Sequence, residues 1–544
     1  MASSRKTFFF AFAFGSMCIA GTAGYLGARP PGPDASELGV PPFVLSDFGG
    51  ASRATLENSA LPYKVVATAL LMREERIRKS PLDRSALRDI YREFGFIFPD
   101  SIANWPRRIA QPRFDRPVGM VGRIVKGPTP LARVDAINIG CSTCHTGLLH
   151  DSAGNITSVA WAGLPNTSVN LELYSRSVYA GLKLAVADPQ AFRARVHALF
   201  PEMSSRERLT LKWFLMPRIV GRMRELALAG DRPLPFRNGG PGRTNGPGAM
   251  KRSLGIPQSL SEAGFVSIPA LAGRGMRRSL LADGVYATTH LDRYTEMDSS
   301  EVTDVHVEQL ADIVSFFLVG TMGMKPKAAE KAIPQIRPVL EWIAREHTAP
   351  PFPGRTDSAK ADAGLSVFTK SCVSCHGTYS QTLPRRLVSY PNRHVPSEDI
   401  GSDRARLDAL NPEINAKVNS LAYGKRLNTE QTGAYVPPIL LGVWATAPYL
   451  HNGSVPTLWQ LMNPSLRPAK FMVGGHALDM QDVGVAGIPD STGLYRFKPG
   501  YVPWSTPEMF DTSLPGLSNT GHEKQFSRLT IEQKRAVIEY LKTL

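Results

Sequence analysis

Cysteine is scarce in this chain, at 5 of 544 residues. So few thiols cannot staple a protein of this length, which has to bury its own apolar core. Glycine and proline are present, 47 and 44 residues, but recur with no fixed period, which excludes a fibrous repeat. Acidic residues are short against basic ones, 47 against 63, for a formal charge of +16. Hydrophobic residues at 43% and charged residues at 20% make an ordinary globular composition, neither disordered nor wholly membrane-embedded. The length suggests about three or four domains' worth of chain. The basic excess leaves nucleic acid, anionic lipid and an acidic partner protein open.

The N-terminus narrows that choice. Arg5 and Lys6 precede an uncharged stretch from Thr7 to Ala28 rich in Phe, Ala and Gly. Gly21 and Ala23 flank Thr22 in a spacing that signal peptidase accepts. The same stretch is long enough to span a bilayer once, with its basic end held in the cytoplasm. Residues 1–28 are therefore expected to be a signal peptide or an N-terminal membrane anchor, followed by a Pro-rich spacer over 29–40. Either way the body is expected to be periplasmic or secreted, with membrane association through the N-terminus and nucleic acid an unfavoured partner.

Four cysteines remain beyond the leader, in two settings of the same form: Cys141-Ser142-Thr143-Cys144-His145 and Cys372-Val373-Ser374-Cys375-His376. Both match C-x-x-C-H, the attachment signature of c-type haem. On a helical turn, positions i, i+3 and i+4 share one face. Two thiols and an imidazole then converge on one flat partner, the thiols as thioether anchors and the imidazole as proximal ligand. Chance from this composition gives roughly 0.001 occurrences per motif. A thioredoxin-like thiol pair leaves the following histidine unexplained, zinc sits poorly with motifs so far apart, and a disulfide within each motif is a fallback. Two covalent haem c groups are the expectation, with Cys141, Cys144, Cys372 and Cys375 as anchors and His145 and His376 as iron ligands.

Apolar periodicity predicts helices over Tyr63 to Lys79, Ser204 to Ala229 (kinked at Pro217), Val305–Gly320 and Ala328–His347. The apolar face of 204–229 is expected to pack on a core. Residues 231–258 read as a Gly/Pro-rich loop, within which Arg243 is a candidate partner for a haem propionate. Pro350-Pro351-Phe352-Pro353-Gly354 marks a boundary. Beyond it, Gly364, Phe368 and Cys372 are spaced by helical turns, and Thr530-x-x-Gln533 is a capping box for a closing helix. No tandem repeat stands out beyond the two haem motifs.

The stretch 436–458, with Ala447-Pro448-Tyr449-Leu450-His451-Asn452-Gly453-Ser454 at its centre, resembles the second haem domain of the bacterial di-haem cytochrome c peroxidase superfamily. Its His-Asn-Gly-Ser wording is closer to the haem-type rubber oxygenase branch. Gly163-Leu164-Pro165-Asn166-Thr167, Gly401-Ser402-Asp403, Arg467-Pro468 with Phe471 and Gly474, and Leu514-Pro515-Gly516 with Gly521-His522-Glu523 fit that branch too. The resemblance runs in sparse patches from about residue 135 to the end. It implies a mainly α fold of two cytochrome c-like haem domains, 41–349 and 350–544, with long loops and a helical insertion. It implies that the N-terminal haem meets peroxide or dioxygen while the C-terminal haem is six-coordinate and handles electrons. His522 is the first candidate for the sixth ligand of the second haem, and Met462 and Met472 are rivals. A calcium ion occurs in the peroxidases, although no acidic cluster here argues for one. In the family's Trp-Asp-Gly word the tryptophan lies between the haems; here Ala282-Asp283-Gly284 stands instead, with Tyr286 a possible substitute.

At the first haem no sixth ligand is apparent. His150 is expected on the proximal side, and His290 and Glu296 are weak candidates for distal acid–base work, with a solvated loop the blander reading. Tyr449 and His451 read as structural. The functional expectation is an exported di-haem oxidoreductase acting on peroxide or dioxygen, with a redox partner protein or small-molecule oxidant. A non-enzymatic electron carrier and an oxygenase of an apolar polyisoprenoid-like substrate are the alternatives.

Overall fold

Close helix pairs form where the sequence offers small residues or strong caps. In the computed structural model, Ser358–Ser371 begins at Asp357, whose side chain accepts from the Lys360 amide, and packs along the C-terminal helix Ile531–Lys542. Gly364 permits that approach: a Cβ there would lie 2.0 Å from the Ala536 carbonyl oxygen. The capping box at Thr530 and Gln533 is formed. Ile531 is 62% exposed, whereas Val537, Ile538, Leu541 and Leu544 are buried. A second pair, Tyr63–Arg78 and Leu171–Ala187, builds an aromatic core in which Tyr174 meets Phe94 and Phe96 edge-on. A third core gathers Ala35–Leu45, Asp304–Met322 and Ile333–Arg345, with Phe43 against Trp342 at 5.6 Å.

The structure describes residues 34–45, 61–126, 132–289, 292–410 and 412–544, and Ala35–Leu544 fold as one compact unit. The leader and residues 29–33 of the expected spacer lie outside the described residues, as does His290, while the rest of that spacer runs into the helix Ala35–Leu45. No helix among the described residues is long and apolar enough to cross a membrane.

The expectation of a mainly α fold is overturned. The fold is 43% helical and 15% strand, mixed α/β, and among the described residues its strands form eight small sheets. Arg133–Ile139 pairs antiparallel with Met120–Lys126 and leads directly into the first haem motif, and Thr146–His150 pairs with Ile156–Ala162 on leaving it. Near the C-terminus, Lys470–Val473 pairs with Glu508–Asp511 in a four-stranded sheet. Most strands are only two to four residues long, too short to leave the period-2 signature that reveals strands in a sequence.

Two helical expectations also change. Within the expected loop 231–258, Gly246–Leu254 is a helix, with Asn245 accepting from the Gly248 amide and Pro247 in its first turn. The segment 204–229 is two α-helices, Ser205–Thr210 and Met216–Leu228, joined by a π turn over Leu211–Leu215. Leu211 and Met223 of its apolar face are buried, whereas Leu209 is 56% exposed.

Candidate functional site

Each C-x-x-C-H motif folds as a single helical turn, Cys141–Cys144 and Val373–His376. Among the described residues the four cysteines form no disulfide. Burial pushes the Cys144 thiol up to about 12, and burial with the neighbouring Cys375 pushes Cys372 up to about 11. Both shifts run opposite to the lowered value of a reactive redox thiol.

Both histidines are oriented by the same device. His145 Nδ1 donates to the Pro269 carbonyl at 3.0 Å, and His376 Nδ1 donates to the Pro438 carbonyl at 2.8 Å. A carbonyl only accepts, so each Nδ1 carries the proton and each Nε2 keeps its lone pair for a metal. Burial drives the His145 imidazole down to about 4 and lowers His376 as well, holding both in the neutral, ligating form. The loop after the first motif is tied to it: Gly163 N donates to the His145 carbonyl and Asn166 N to that of Cys144. Asn166 Nδ2 also donates to the Thr143 carbonyl, which explains the Gly-Leu-Pro-Asn word.

The loops carrying the two prolines are equivalent. Pro269, Leu271, Gly273, Leu281 and Gly284 match Pro438, Leu440, Gly442, Leu450 and Gly453, each pair 169 positions apart, as 438 is from 269. Gly273 and Gly442 have φ of 74° and 72°, Leu281 and Leu450 73° and 67°, and Gly284 and Gly453 62° and 70°. Each loop turns through a 3-10 helix, Arg274–Met276 or Val443–Ala445. The loops also bond to each other reciprocally: Ser267 N donates to the His451 carbonyl and Val436 N to the Ala282 carbonyl. Ser267 corresponds to Val436 and Ala282 to His451, so the two bonds are related by a local pseudo-two-fold axis. This repeat is visible in the sequence but missed by a search for tandem periodicity, because the spacing from histidine to proline is 124 residues in one half and 62 in the other.

The halves differ in what faces the histidine. The His522 ring stacks opposite His376 with centroids 6.4 Å apart and planes 24° apart. Two imidazoles that each place a nitrogen ~2 Å from one shared metal have centroids roughly 6 Å apart. His522 Nδ1 is buried without a partner, and burial, with His376 and Arg467 nearby, lowers its pKa to about 3. Its backbone is left-handed at φ 68°, a strained setting for a non-glycine residue that points to function. Arg467 fixes this loop, pairing with Glu523 at 2.6 Å and donating to the Gly521 and Asn519 carbonyls. The rivals are placed otherwise: Met462 is buried at the end of Leu458–Met462, and Met472 lies in the strand Lys470–Val473.

Among the described residues, no aromatic ring stacks opposite His145, and no group of three or more His, Cys, Asp or Glu is arranged to hold a metal ion. Glu296 is exposed, its carbonyl accepting from Arg278. His150 is half-buried and edge-on to Trp444 at 6.5 Å. Tyr286 packs on Phe316 and Phe317. Arg243 lies over the Phe510 ring at 4.4 Å, with the Glu508 carboxylate beside it and Gly239 accepting from its Nε. Asp283 and Arg406 form an ion pair of 2.8 Å, both almost fully buried. His451 stacks on Tyr435 and bonds to its hydroxyl at 3.0 Å and to Ser402 at 3.2 Å, while the Tyr449 hydroxyl is buried without a partner.

Residues 434–472 match the family model described as RoxA-like, cytochrome c-like. This segment is thus similar to a cytochrome c-like domain of the RoxA-like group. That match covers Pro438, Trp444, His451 and Arg467, the framework around His376, and it implies haem c. The thiols, the neutral proximal imidazole and the opposed His522 fit that group. The expectation of two cytochrome c-like domains is supported only this far by resemblance, since the match is confined to 434–472. The chain is 30% identical over 235 residues to "Uncharacterized protein y4iM" of Sinorhizobium fredii, covering 35% of this chain and 50% of the relative. It is 33% identical over 187 residues to "Uncharacterized protein y4iJ" of the same organism, covering 30% of this chain and 29% of that relative. The chain thus spans half or less of these relatives' length.

Proposed function

We propose that this protein is an exported di-haem c-type cytochrome oxidoreductase whose C-terminal haem is closed by His376 and His522 and whose N-terminal haem is open to peroxide or dioxygen. The observation that carries the reading is the asymmetry of two equivalent frameworks: each orients a neutral imidazole against a prolyl carbonyl, yet among the described residues only His376 has a second imidazole stacked opposite. Haem iron held by His145 and His376 would supply one-electron transfer and, where no second side chain occupies it, a place for a small oxidant.

The chain's residues set the terms of that chemistry. Pro269 and Pro438 fix the tautomers, so Nε2 of each histidine donates to metal without first losing a proton. His522, held by Arg467 through Glu523, blocks the face opposite His376 and dedicates that half to electron transfer. Cys141 packs against the same apolar core as Leu148, Leu271, Leu280, Leu281 and Phe317, which gives the first half an apolar setting. The RoxA-like match favours, as a second reading, dioxygen chemistry on an apolar polyisoprenoid-like substrate over peroxide reduction. Calcium has no part in either reading.

The test is ligand binding to the purified, air-oxidised protein. One haem that binds cyanide, or carbon monoxide after reduction, supports catalysis at an open site. Two low-spin haems that ignore peroxide, cyanide and carbon monoxide would make the protein an electron carrier. Oxygen uptake with a polyisoprenoid, against turnover of peroxide with a reduced donor, separates the two enzymatic readings.

A further inference from the structure

Arg274 and Arg277 are adjacent cations that form no ion pair among the described residues. Arg277 is 1% exposed, its Nε donating to the Ser279 carbonyl at 3.0 Å and its Nη2 to that of Leu281 at 2.8 Å. Arg274 is half-buried, and its one side-chain hydrogen bond among the described residues runs from Nε to the Ala270 carbonyl at 3.0 Å. Neither forms an ion pair among the described residues. The nearest acid, Asp283, is engaged by Arg406. Taking one guanidinium out of water is costly, and two side by side repel as well, unless an anion joins them. Arg243 makes the contrast: it has the Glu508 carboxylate beside it.

The pair also occupies an informative place. It follows Pro269, the acceptor for His145, by a turn, and the charge of Arg274 is felt at the His145 ring. On its other side both guanidiniums face Tyr390, which lies near Cys375 and donates to the Pro437 carbonyl. The pair therefore lies in the seam between the two haem motifs. Its equivalents in the second loop are Val443 and Thr446, so the turn itself needs no arginine. The titratable groups facing the pair are His145, Tyr390, Asp283 and His394.

We propose that Arg274 and Arg277 form a carboxylate-binding site in the seam between the two halves, and that it takes a propionate of the N-terminal haem. The inference rests on the di-haem reading and goes beyond it by assigning the anion site and its effect on potential. A guanidinium fork matches a carboxylate in a two-bond pair, and the haem brings carboxylates that this chain does not otherwise neutralise here. With the cations in place the propionate stays ionised and the ferric state is not over-stabilised. Without Arg274 the uncompensated carboxylate favours ferric iron and takes up a proton as the pH falls.

The test is spectroelectrochemical titration of the intact holoprotein between pH 5 and 8, in wild type, Arg274→Gln and Arg274→Lys, with covalent haem counted in each. Arg274→Gln should reduce the reduced-to-oxidised ratio of one haem about tenfold at fixed ambient potential, which is ~59 mV for a one-electron couple. It should also give that haem a pH-dependent potential that wild type lacks. Arg274→Lys should keep most of the potential, because the charge is retained. If two haems are attached and Arg274→Gln changes neither potential nor pH profile, the anion site is wrong while the di-haem reading stands. If wild type carries fewer than two covalent haems, the di-haem reading fails and the anion site falls with it.

Discussion

The loops Pro269 to Gly284 and Pro438 to Gly453 are the same backbone carrying different chemistry. Their left-handed positions, 3-10 turns and acceptor prolines coincide, and they bond to each other reciprocally. What differs is side chains: Arg274 against Val443, Gly275 against Trp444, Ala282 against His451. The comparison teaches that the shared backbone orients both histidines, while local charge is set by the side chains that backbone carries and the imidazole facing His376 comes from outside it. His522 arrives from a separate loop, fixed by Arg467, that has no counterpart identified in the first half.

The largest expected effect breaks the frame at its anchors. Replacing both cysteines of either motif by alanine should remove one covalent haem and leave the other, as read by a pyridine haemochrome assay. Loss of both from a single pair of changes would show that the halves do not assemble independently. Next, His522→Ala should convert one haem from low-spin to high-spin and leave the other spectrum unchanged. An unaltered low-spin signal would return the sixth position to Met462 or Met472.

Smaller changes probe the equivalence itself. Gly273→Ala and Gly442→Ala each force a side chain into a left-handed turn, with new Cβ contacts at 3.0 Å to Ile439 and to Ala349. Each should cost about 1–2 kcal/mol in denaturant unfolding, and clearly unequal losses would weaken the equivalence.

The smallest effect concerns pH. Burial, reinforced by Arg406, pushes the His451 imidazole down to about 3, and burial does the same to His347. A histidine whose folded value lies below the unfolded ~6.5 leaves stability complete above that pH. Stability is then lost as pH falls from ~6.5 towards 3, because the unfolded chain binds the proton first. His451→Gln should flatten this acid limb by at most about 1.4 kcal/mol per pH unit, whereas Ala282, its equivalent, contributes no such slope.

The haem motifs were legible in sequence because their chemistry fixes residue type and spacing together, and His522 because its Gly-His-Glu setting is a recognisable word. The long helices were legible because their apolar faces repeat over several turns, as at Tyr63–Arg78 and Asp304–Met322. The strands were not, since pairs such as Arg243–Thr244 with Val266–Ser267 are two residues long and are created by their partners. Arg274 and Arg277 were hidden for a related reason. An arginine without an anion is a property of its surroundings, and nothing in the spacing of these two marks it.

The central claim is one closed and one open haem in equivalent frames. It is tested most directly by the electron paramagnetic resonance spectrum of the air-oxidised protein before and after cyanide. The expected result is one low-spin bis-histidine signal that does not respond and a second signal that shifts to low-spin on binding. Two low-spin signals, both indifferent to cyanide, would contradict the account.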